Sequence, residues 1–199
     1  MNVLVCGGAG FIGSEFIRNH LKNNSDSKLT NLDILTIGSN LQNLKNIENN
    51  PNYSFIKENI TNESIIDGIV KDVDVIVNFA AESHVDRSIS NPKPFLETNI
   101  MGTYSILEAV RKYDKKFIHV STDEIYGDAY GQDSFDEESQ INPSNPYAAT
   151  KAAADNLVAS YHRTYGINCI ITRCTNNFGP FQFPEKLIPK TIIRSIKNL

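Results

Sequence analysis

The chain has 199 residues, 40% of them apolar and 21% charged, with a formal net charge of −4 at pH 7. This length provides one domain with a substantial core, or one domain plus part of a second. The acidic balance argues weakly against nucleic acid as a partner. The three cysteines have no metal-type spacing, and no apolar run reaches the roughly 18 residues of a membrane helix. Because a strand pattern begins at the first residues, no signal peptide is expected, and we predict a cytoplasmic protein without a metal.

Strand and helix patterns alternate along the chain. Near-continuous apolar runs such as Val73–Val77 are typical of strands covered on both faces. The predicted strands are Asn2–Cys6, Lys28–Asp33, Tyr53–Lys57, Val73–Phe79, Lys116–Val120 and Asn168–Arg173. The predicted helices are Phe11–Leu21, Glu63–Lys71, Lys93–Tyr113 and Pro146–Tyr165, and their apolar residues recur at helical spacing. Repeated strand–helix units of this kind predict an α/β fold with a doubly wound parallel sheet.

Two other segments carry apolar residues within polar surroundings. The asparagine-rich stretch 40–52 includes Leu41, Leu44 and Ile47, which predicts ordered loops and a short helix. The segment 184–199 has leucine and isoleucine at helical spacing, which predicts a last helix with no strand after it. We interpret this ending as a truncation rather than as a terminal lid.

A glycine-rich run lies between the first predicted strand and the first predicted helix. Gly7 permits a tight turn, Gly10 lets the backbone approach a pyrophosphate, and Gly13 lets the helix pack closely on the strand. Asp33 ends the next strand, where a carboxylate accepts hydrogen bonds from the adenosine ribose and repels a 2′-phosphate. This arrangement predicts a Rossmann fold that binds NAD in preference to NADP.

Tyr147 and Lys151 share one face of a predicted helix, which an Asn145-Pro146 start should cap. An ammonium group near a phenol should lower the phenol pKa, so that the phenolate can accept a proton from a sugar hydroxyl. Tyr53 and Lys57 have the same spacing, but four residues of a strand span roughly 13 Å and keep that pair apart. Position on a capped helix therefore favours Tyr147 and Lys151.

Two neighbouring carboxylates, Asp123 and Glu124, follow Ser121 and Thr122 at the end of an apolar strand. Taken alone, such a pair is typical of a solvated turn or a helix cap. Ligands of doubly wound sheets bind outside the carboxyl ends of strands, where a base and an acid with different pKa values can divide an elimination between them. A dehydratase needs both groups, whereas an epimerase needs no acid for a leaving group.

Taken together, these motifs and three further runs resemble the dTDP-glucose 4,6-dehydratases of the extended short-chain dehydrogenase/reductase family. The three runs are residues 78–88, 173–180 and 184–189, and the likeness extends over the whole chain. The resemblance implies an NAD-binding domain over residues 1–175 and the start of a substrate-binding lobe over 176–199, with the rest of that lobe absent. It also implies a homodimer, by analogy only.

The resemblance further implies a role for individual residues. Tyr147 is the base at the glucose 4-hydroxyl, Lys151 supports it and holds the nicotinamide ribose, and Thr122 bonds the reacting hydroxyl. Glu124 removes the C5 proton and Asp123 protonates the departing 6-hydroxyl. Substrate contacts are implied for Ser83, Thr122, Asn176, Lys186 and Leu187. Besides the glycines, Asp33, Tyr147 and Lys151, cofactor contacts are implied for Phe11, Ile12, Ile34, Leu35, Thr36, Asn59, Ile60, Phe79, Ala80, Ala81, Glu82, Ser83, Thr98 and Asn177.

Some readings stay open. Asn59 stands where the family usually has an aspartate beside adenine, and its carbonyl oxygen can still accept from the adenine amino group. An ion pair between Asp86 and Arg87 should order their loop, and His84 lacks partners for a metal site. A 4-epimerase, a dehydratase for UDP- or GDP-sugars, and an inactive NAD-binding fragment remain as alternatives.

Overall fold

Six parallel strands form the single sheet of the computed structural model, which describes residues 1–129, 131 and 134–198. The spatial order is β3-β2-β1-β4-β5-β6, as expected for a doubly wound sheet. This result confirms the fold class predicted from the alternating patterns. The strands are β1 (Asn2–Cys6), β2 (Lys28–Leu32), β3 (Tyr53–Ile56), β4 (Val75–Asn78), β5 (Lys116–Thr122) and β6 (Cys169–Cys174).

The helices follow the predicted segments with a few differences. The α-helices are α1 (Phe11–Asn23), α2 (Glu63–Val70), α3 (Val85–Ser90), α4 (Lys93–Phe95), α5 (Thr103–Tyr113), α6 (Pro146–Tyr165) and α7 (Leu187–Ile196). The predicted helix 93–113 contains a π-helical stretch, Leu96–Gly102, which joins α4 to α5. Helix α3 was not predicted. Short 3₁₀ helices occupy Leu41–Ile47, within the asparagine-rich stretch, and Asp123–Tyr126.

The sheet has an apolar core on each face, and the alternation along β1 shows why. Leu4 and Cys6 pack into one core, with α2, α5 and α6, whereas Val3 and Val5 pack into the other, with α1. Successive residues of a strand point to opposite faces, so an uninterrupted apolar strand supplies both cores at once. Full burial of these side chains fits the runs seen in the sequence.

The order of the strands reverses between β1 and β4, which opens a crevice at their carboxyl ends. Cys6 pairs in register with Asn78, and Asn78 with His119, so β1 and β4 end side by side and β5 continues beyond them to Thr122. The glycine loop after β1 and the Thr122-Asp123-Glu124 run at the end of β5 therefore open onto one edge of the sheet.

Residues 175–198 differ from the sheet that precedes them. Helix α7 has no buried residue, and Leu187 and Ile196 are 79% and 77% exposed. The predicted helix started earlier and reached Leu199, which lies outside the described residues. Within the described part of the chain, no helix combines the length and the apolar character needed to cross a bilayer.

Candidate active site

A cleft of about 470 Å³ lies at the carboxyl ends of the strands. Nearly all residues predicted to contact cofactor or substrate line it, from Gly7 on one side to Lys186 on the other. Three predicted residues do not. Leu35, Leu187 and Asp123 are not part of its wall, although Asp123 is the neighbour of Glu124, which is.

The glycine loop is shaped by close backbone contacts. Gly7 has a positive φ of 77°, and a Cβ there would lie 2.5 Å from the backbone nitrogen of Ala80. A Cβ on Gly13 would lie 2.4 Å from the Gly7 carbonyl oxygen. A Cβ on Gly10 would meet only the Gly7 carbonyl oxygen, at 3.4 Å, and would occupy the open cleft. Gly7 and Gly13 therefore let the chain fold, whereas Gly10 keeps space free at the start of α1.

Asp33 follows β2 and is held by the same loop. Its Oδ2 accepts a 3.0 Å hydrogen bond from the Ala9 amide and its Oδ1 accepts a 2.8 Å bond from the Leu35 amide. Leu35 adopts a φ of 62°, so its role here is carried by its backbone. Across the cleft, Asn59 Oδ1 accepts from the Thr61 amide at 3.0 Å and keeps a second lone pair for another donor.

Two side chains fix the start of α6, the amide of Asn145 and the hydroxyl of Ser88. Asn145 caps the helix, since its Oδ1 accepts from the Ala148 amide at 2.9 Å, and Pro146 is the first helical residue, as predicted. The amide of Tyr147 donates to the Ser88 hydroxyl at 3.1 Å, and the Tyr147 ring packs edge-on against Phe95. These contacts orient the Tyr147 ring toward the cleft.

The prediction that Lys151 lowers the pKa of the Tyr147 phenol is wrong for this structure. Burial raises the pKa of Tyr147 to about 12, and the neighbouring carboxylates of Glu124 and Asp123 add to the increase. The Thr122 hydroxyl opposes it. Lys151 does not offset the increase, because its ammonium group points to the end of β5, where Nζ donates to the Val120 carbonyl at 2.8 Å.

Lys151 is almost completely buried, with 3% of its surface exposed. Burial lowers the pKa of Lys151 to about 8, and Asp155 and Cys174 oppose that decrease. The second polar neighbour of Nζ is His119 Nε2, at 3.4 Å. The base of the cleft therefore holds a lysine that is charged at neutral pH but loses its proton more readily than an exposed one.

The acidic pair lies in the 3₁₀ turn that follows β5. Strand β5 is two residues longer than predicted, so Thr122 is its last residue and its hydroxyl accepts from the Glu124 amide at 3.3 Å. Glu124 lines the cleft, and its carboxylate accepts from Asn145 Nδ2 at 3.4 Å. Asp123 accepts from the Thr122 hydroxyl at 3.4 Å. Thr122, Glu124 and the start of α6 are thus joined in one hydrogen-bonded unit.

The far wall of the cleft is formed by the segment after β6. Asn176, Asn177 and Lys186 line it. The predicted pair between Asp86 and Arg87 is wrong, because Arg87 donates to Glu185 at 2.8 Å instead. His84 caps α3 and its Nε2 lies 3.4 Å from the same carboxylate. One glutamate therefore connects this segment to α3.

Several residues of the site were not predicted from the sequence. Cys174 lines the cleft and pairs in register with Thr122. Because two neighbouring parallel strands end at the same level, the residue that ends β6 could have been expected beside Thr122. Glu185 and Ser88 act on residues far away in the chain, and no local pattern marks them. Among the described residues, no group of three or more His, Cys, Asp or Glu side chains is placed to hold a metal ion.

The chain is similar to known nucleotide-sugar enzymes over its whole length. The family described as GDP-mannose 4,6 dehydratase matches residues 4–199. The low-salt glycan biosynthesis protein Agl12 of Haloferax volcanii is 50% identical over 98% of this chain and 63% of its own length. A dTDP-glucose 4,6-dehydratase of Streptomyces niveus is 48% identical over 95% of this chain and 57% of its own length.

Solved structures agree with these relatives. The dTDP-glucose 4,6-dehydratase DesIV of Streptomyces venezuelae, crystallised with NAD, superposes with a TM-score of 0.95 at 42% identity, covering 100% of this chain and 63% of that one. A UDP-glucuronic acid 4-epimerase of Bacillus cereus gives a TM-score of 0.93 at 31% identity, covering 100% of this chain and 64% of that one.

The chain thus spans about 60% of the length of the curated relatives that it matches. The resemblance predicted from the motifs is confirmed, and the match over residues 4–199 shows that the chain belongs to the GDP-mannose 4,6 dehydratase family.

Proposed function

We propose that this chain is the NAD-binding and catalytic part of a dTDP-glucose 4,6-dehydratase, which converts dTDP-glucose to dTDP-4-keto-6-deoxyglucose. The observation that carries this proposal is the hydrogen-bonded unit of Thr122, Glu124 and the start of α6, which brings Tyr147 near Glu124 on the cleft wall and near Asp123 beside it. The family and the dehydratases among the relatives support it.

The residues of the cleft fit NAD. The space that a Cβ on Gly10 would fill is available for a pyrophosphate at the start of α1. Asp33, at 5% exposure, presents a carboxylate at the end of β2, where a ribose diol would bind and a 2′-phosphate would be repelled. Ile34, Thr36, Asn59 and Ile60 line the adenine end, and residues 79–83 with Thr98 and Asn177 line the rest of the cofactor path. When bound, NAD supplies the acceptor for the hydride of C4 and returns that hydride to C6.

Proton transfers are assigned to the side chains of the chain itself. Tyr147 is assigned as the acceptor of the 4-hydroxyl proton, and Thr122 holds that oxygen. Because the pKa of Tyr147 is about 12, its phenol has to lose its own proton before this step. Glu124 then takes the proton from C5, which the new 4-keto group makes acidic. Asp123 donates a proton to the 6-hydroxyl, so that the C6–O bond breaks and water leaves. When C6 is reduced, Glu124 returns its proton to C5, and the proton taken up by Tyr147 balances the one that Asp123 gave. Lys151 holds the nicotinamide ribose.

The nucleotide sugar is assigned to the wall after β6. We propose that Ser83, Asn176 and Lys186 contact it, and that residues 176–199 belong to a substrate-binding lobe beyond the NAD-binding domain of residues 1–175. Helix α7, which has no buried residue, supports the assignment of this segment to such a lobe. A homodimer in the cytoplasm that supplies 6-deoxysugars for surface polysaccharide completes the proposal.

The main enzymatic alternative is a 4-epimerase, because a UDP-glucuronic acid 4-epimerase has the same fold over the whole of this chain. Epimerisation moves one hydride and one proton at C4 and breaks no C–O bond, so it leaves Glu124 and Asp123 without a task. A dehydratase for UDP- or GDP-sugars would use the same carboxylates. The non-enzymatic alternative is a fragment that binds NAD and turns nothing over.

Mass spectrometry of dTDP-glucose after incubation with the chain and NAD tests this proposal. The expected result is the loss of one water with no net NADH. The matched variant Tyr147→Phe should bind NAD normally and lose activity by about 10²–10⁴-fold, the usual worth of a general base. Glu124→Gln should stop water loss but still allow oxidation at C4.

Each other outcome identifies an alternative. A product of unchanged mass with inverted C4, unaffected by Glu124→Gln, would contradict the dehydratase and establish an epimerase. NAD binding with unchanged dTDP-, UDP- and GDP-glucose would establish a cofactor-binding chain without turnover.

A further inference from the structure

A chain of titratable groups, most of them buried, lies behind Lys151, outside the cleft. It runs from Lys151 through His119 and Asp155 to Arg173, and connects α6, β5 and β6. Asp155 and His119 are each only 1% exposed. Charged groups at such depth are stable only when they are paired, so their arrangement has to serve either the fold or the site.

Asp155 lies one helical turn after Lys151 on α6, and the two therefore share a helix face. Its Oδ2 accepts from Arg173 Nε at 2.9 Å. Its Oδ1 has no hydrogen-bond partner among the described residues and lies 3.6 Å from His119 Nε2. One carboxylate oxygen thus bonds the arginine, while the other faces the His119–Lys151 pair.

His119 cannot provide the negative charge that a buried ammonium needs, because its ring is either neutral or positively charged. Burial and the nearby Lys151 lower the pKa of His119 well below its usual value, so the ring is neutral. The other titratable groups around Lys151 are Cys174 on β6 and Tyr147 on α6, while Asp123 and Glu124 after β5 act on Tyr147. The Asp155 carboxylate raises the pKa of Lys151, against the larger effect of burial.

We propose that Asp155 is a positioning residue that keeps the buried Lys151 side chain charged and directed at the base of the cleft. Arg173 holds the carboxylate in place from the surface side, and it also donates to the Tyr126 hydroxyl at 2.8 Å in the turn that carries the acidic pair. The inference rests on the proposed function only for the use of Lys151 as the group that holds the nicotinamide ribose.

The charge of Lys151 can be measured directly by NMR on the chain labelled with [ε-¹³C]lysine, with its resonance identified by its absence from Lys151→Arg. Wild-type Lys151 should titrate near pH 8. In Asp155→Asn, the loss of the carboxylate should move that midpoint down by about one unit or more. The control Asp67→Asn, which removes an exposed partner of Lys112, should leave the Lys151 midpoint unchanged.

A second variant covers the case in which Asp155→Asn does not fold. Arg173 is partly exposed, so Arg173→Gln should fold, and removal of its positive charge should move the Lys151 midpoint upward. If Asp155 had only a structural role, Asp155→Asn would not lower the Lys151 midpoint and Arg173→Gln would not raise it. A Lys151 midpoint that is unchanged in the folded variants would overturn the proposal.

NAD affinity separates this inference from the proposed function. Asp155→Asn should bind NAD more weakly at pH 7.5 and recover affinity toward pH 6, as Lys151 regains its proton, whereas a purely structural loss would not recover. Shifted Lys151 midpoints in a chain that binds no NAD would support the inference and contradict the function. NAD binding and turnover with unchanged Lys151 midpoints in the variants would support the proposed function and contradict this inference.

Discussion

At the phosphate-loop end of the cleft, backbone geometry positions the site, whereas at the catalytic end buried polar side chains do so. Only glycine fits at positions 7 and 13, because a Cβ at either position would collide with nearby backbone atoms. Tyr147 and Lys151 instead depend on Ser88, Asn145 and groups on other strands. The first end should therefore respond to side-chain volume and the second to charge and hydrogen bonding.

The largest effect is expected at the phosphate loop. Gly7→Ala places a Cβ 2.5 Å from the Ala80 nitrogen and keeps a φ of 77°, so it should lower the free energy of unfolding by about 2–4 kcal/mol. NAD binding should be lost with it. Urea denaturation and a cofactor titration measure the two effects.

Gly68→Ala is the matched control for this change. Gly68 lies inside α2 with open space where its Cβ would stand, so alanine should stabilise the chain by about 0.5–1 kcal/mol. An equal cost for the two alanines would show that the loop tolerates volume, and the proposed difference between the ends of the cleft would fail.

The difference between the two ends also explains what could be predicted from the sequence. Glycine spacing at a strand–helix junction is local, and the loop, the bounds of α6 and its Asn145 cap were predicted correctly. The lowered pKa predicted for Tyr147 was wrong. The spacing places Lys151 on the right face of the helix, but it does not fix the ammonium group, which bonds the Val120 carbonyl. Arg87 pairs across 98 positions with Glu185, and no local pattern contains such a contact.

The second effect sharpens the electrostatic character of the catalytic end. The pKa of Lys151 is about 8 in the folded chain and 10.5 in an exposed lysine. Between these two pH values the unfolded chain binds more protons, so the free energy of unfolding contributed by Lys151 rises with pH. Relative to Lys151→Met, wild type should gain up to about 3 kcal/mol between pH 7.5 and 10.5.

The comparison with Lys151→Met is needed because other groups titrate nearby. Burial raises the pKa of both Cys6 and Tyr147 to about 12, and each lowers stability as pH rises through its own range. These contributions cancel in the difference between the two proteins. Urea denaturation at a series of pH values gives that difference, and a flat profile would mean that Lys151 is no harder to protonate than a surface lysine.

The smallest effect concerns the two side chains that hold the start of α6. Ser88→Ala removes the acceptor of the Tyr147 amide and Asn145→Ala removes the cap of the Ala148 amide, and each should cost about 1 kcal/mol. Ser160→Ala, at an exposed position of the same helix, should change stability by less than about 0.5 kcal/mol. Both bonds restrain one helical turn, so the double variant should lose less than the sum of the single losses. Strict additivity in urea denaturation would indicate that Ser88 and Asn145 hold Tyr147 independently, and that α3 can move without displacing the base.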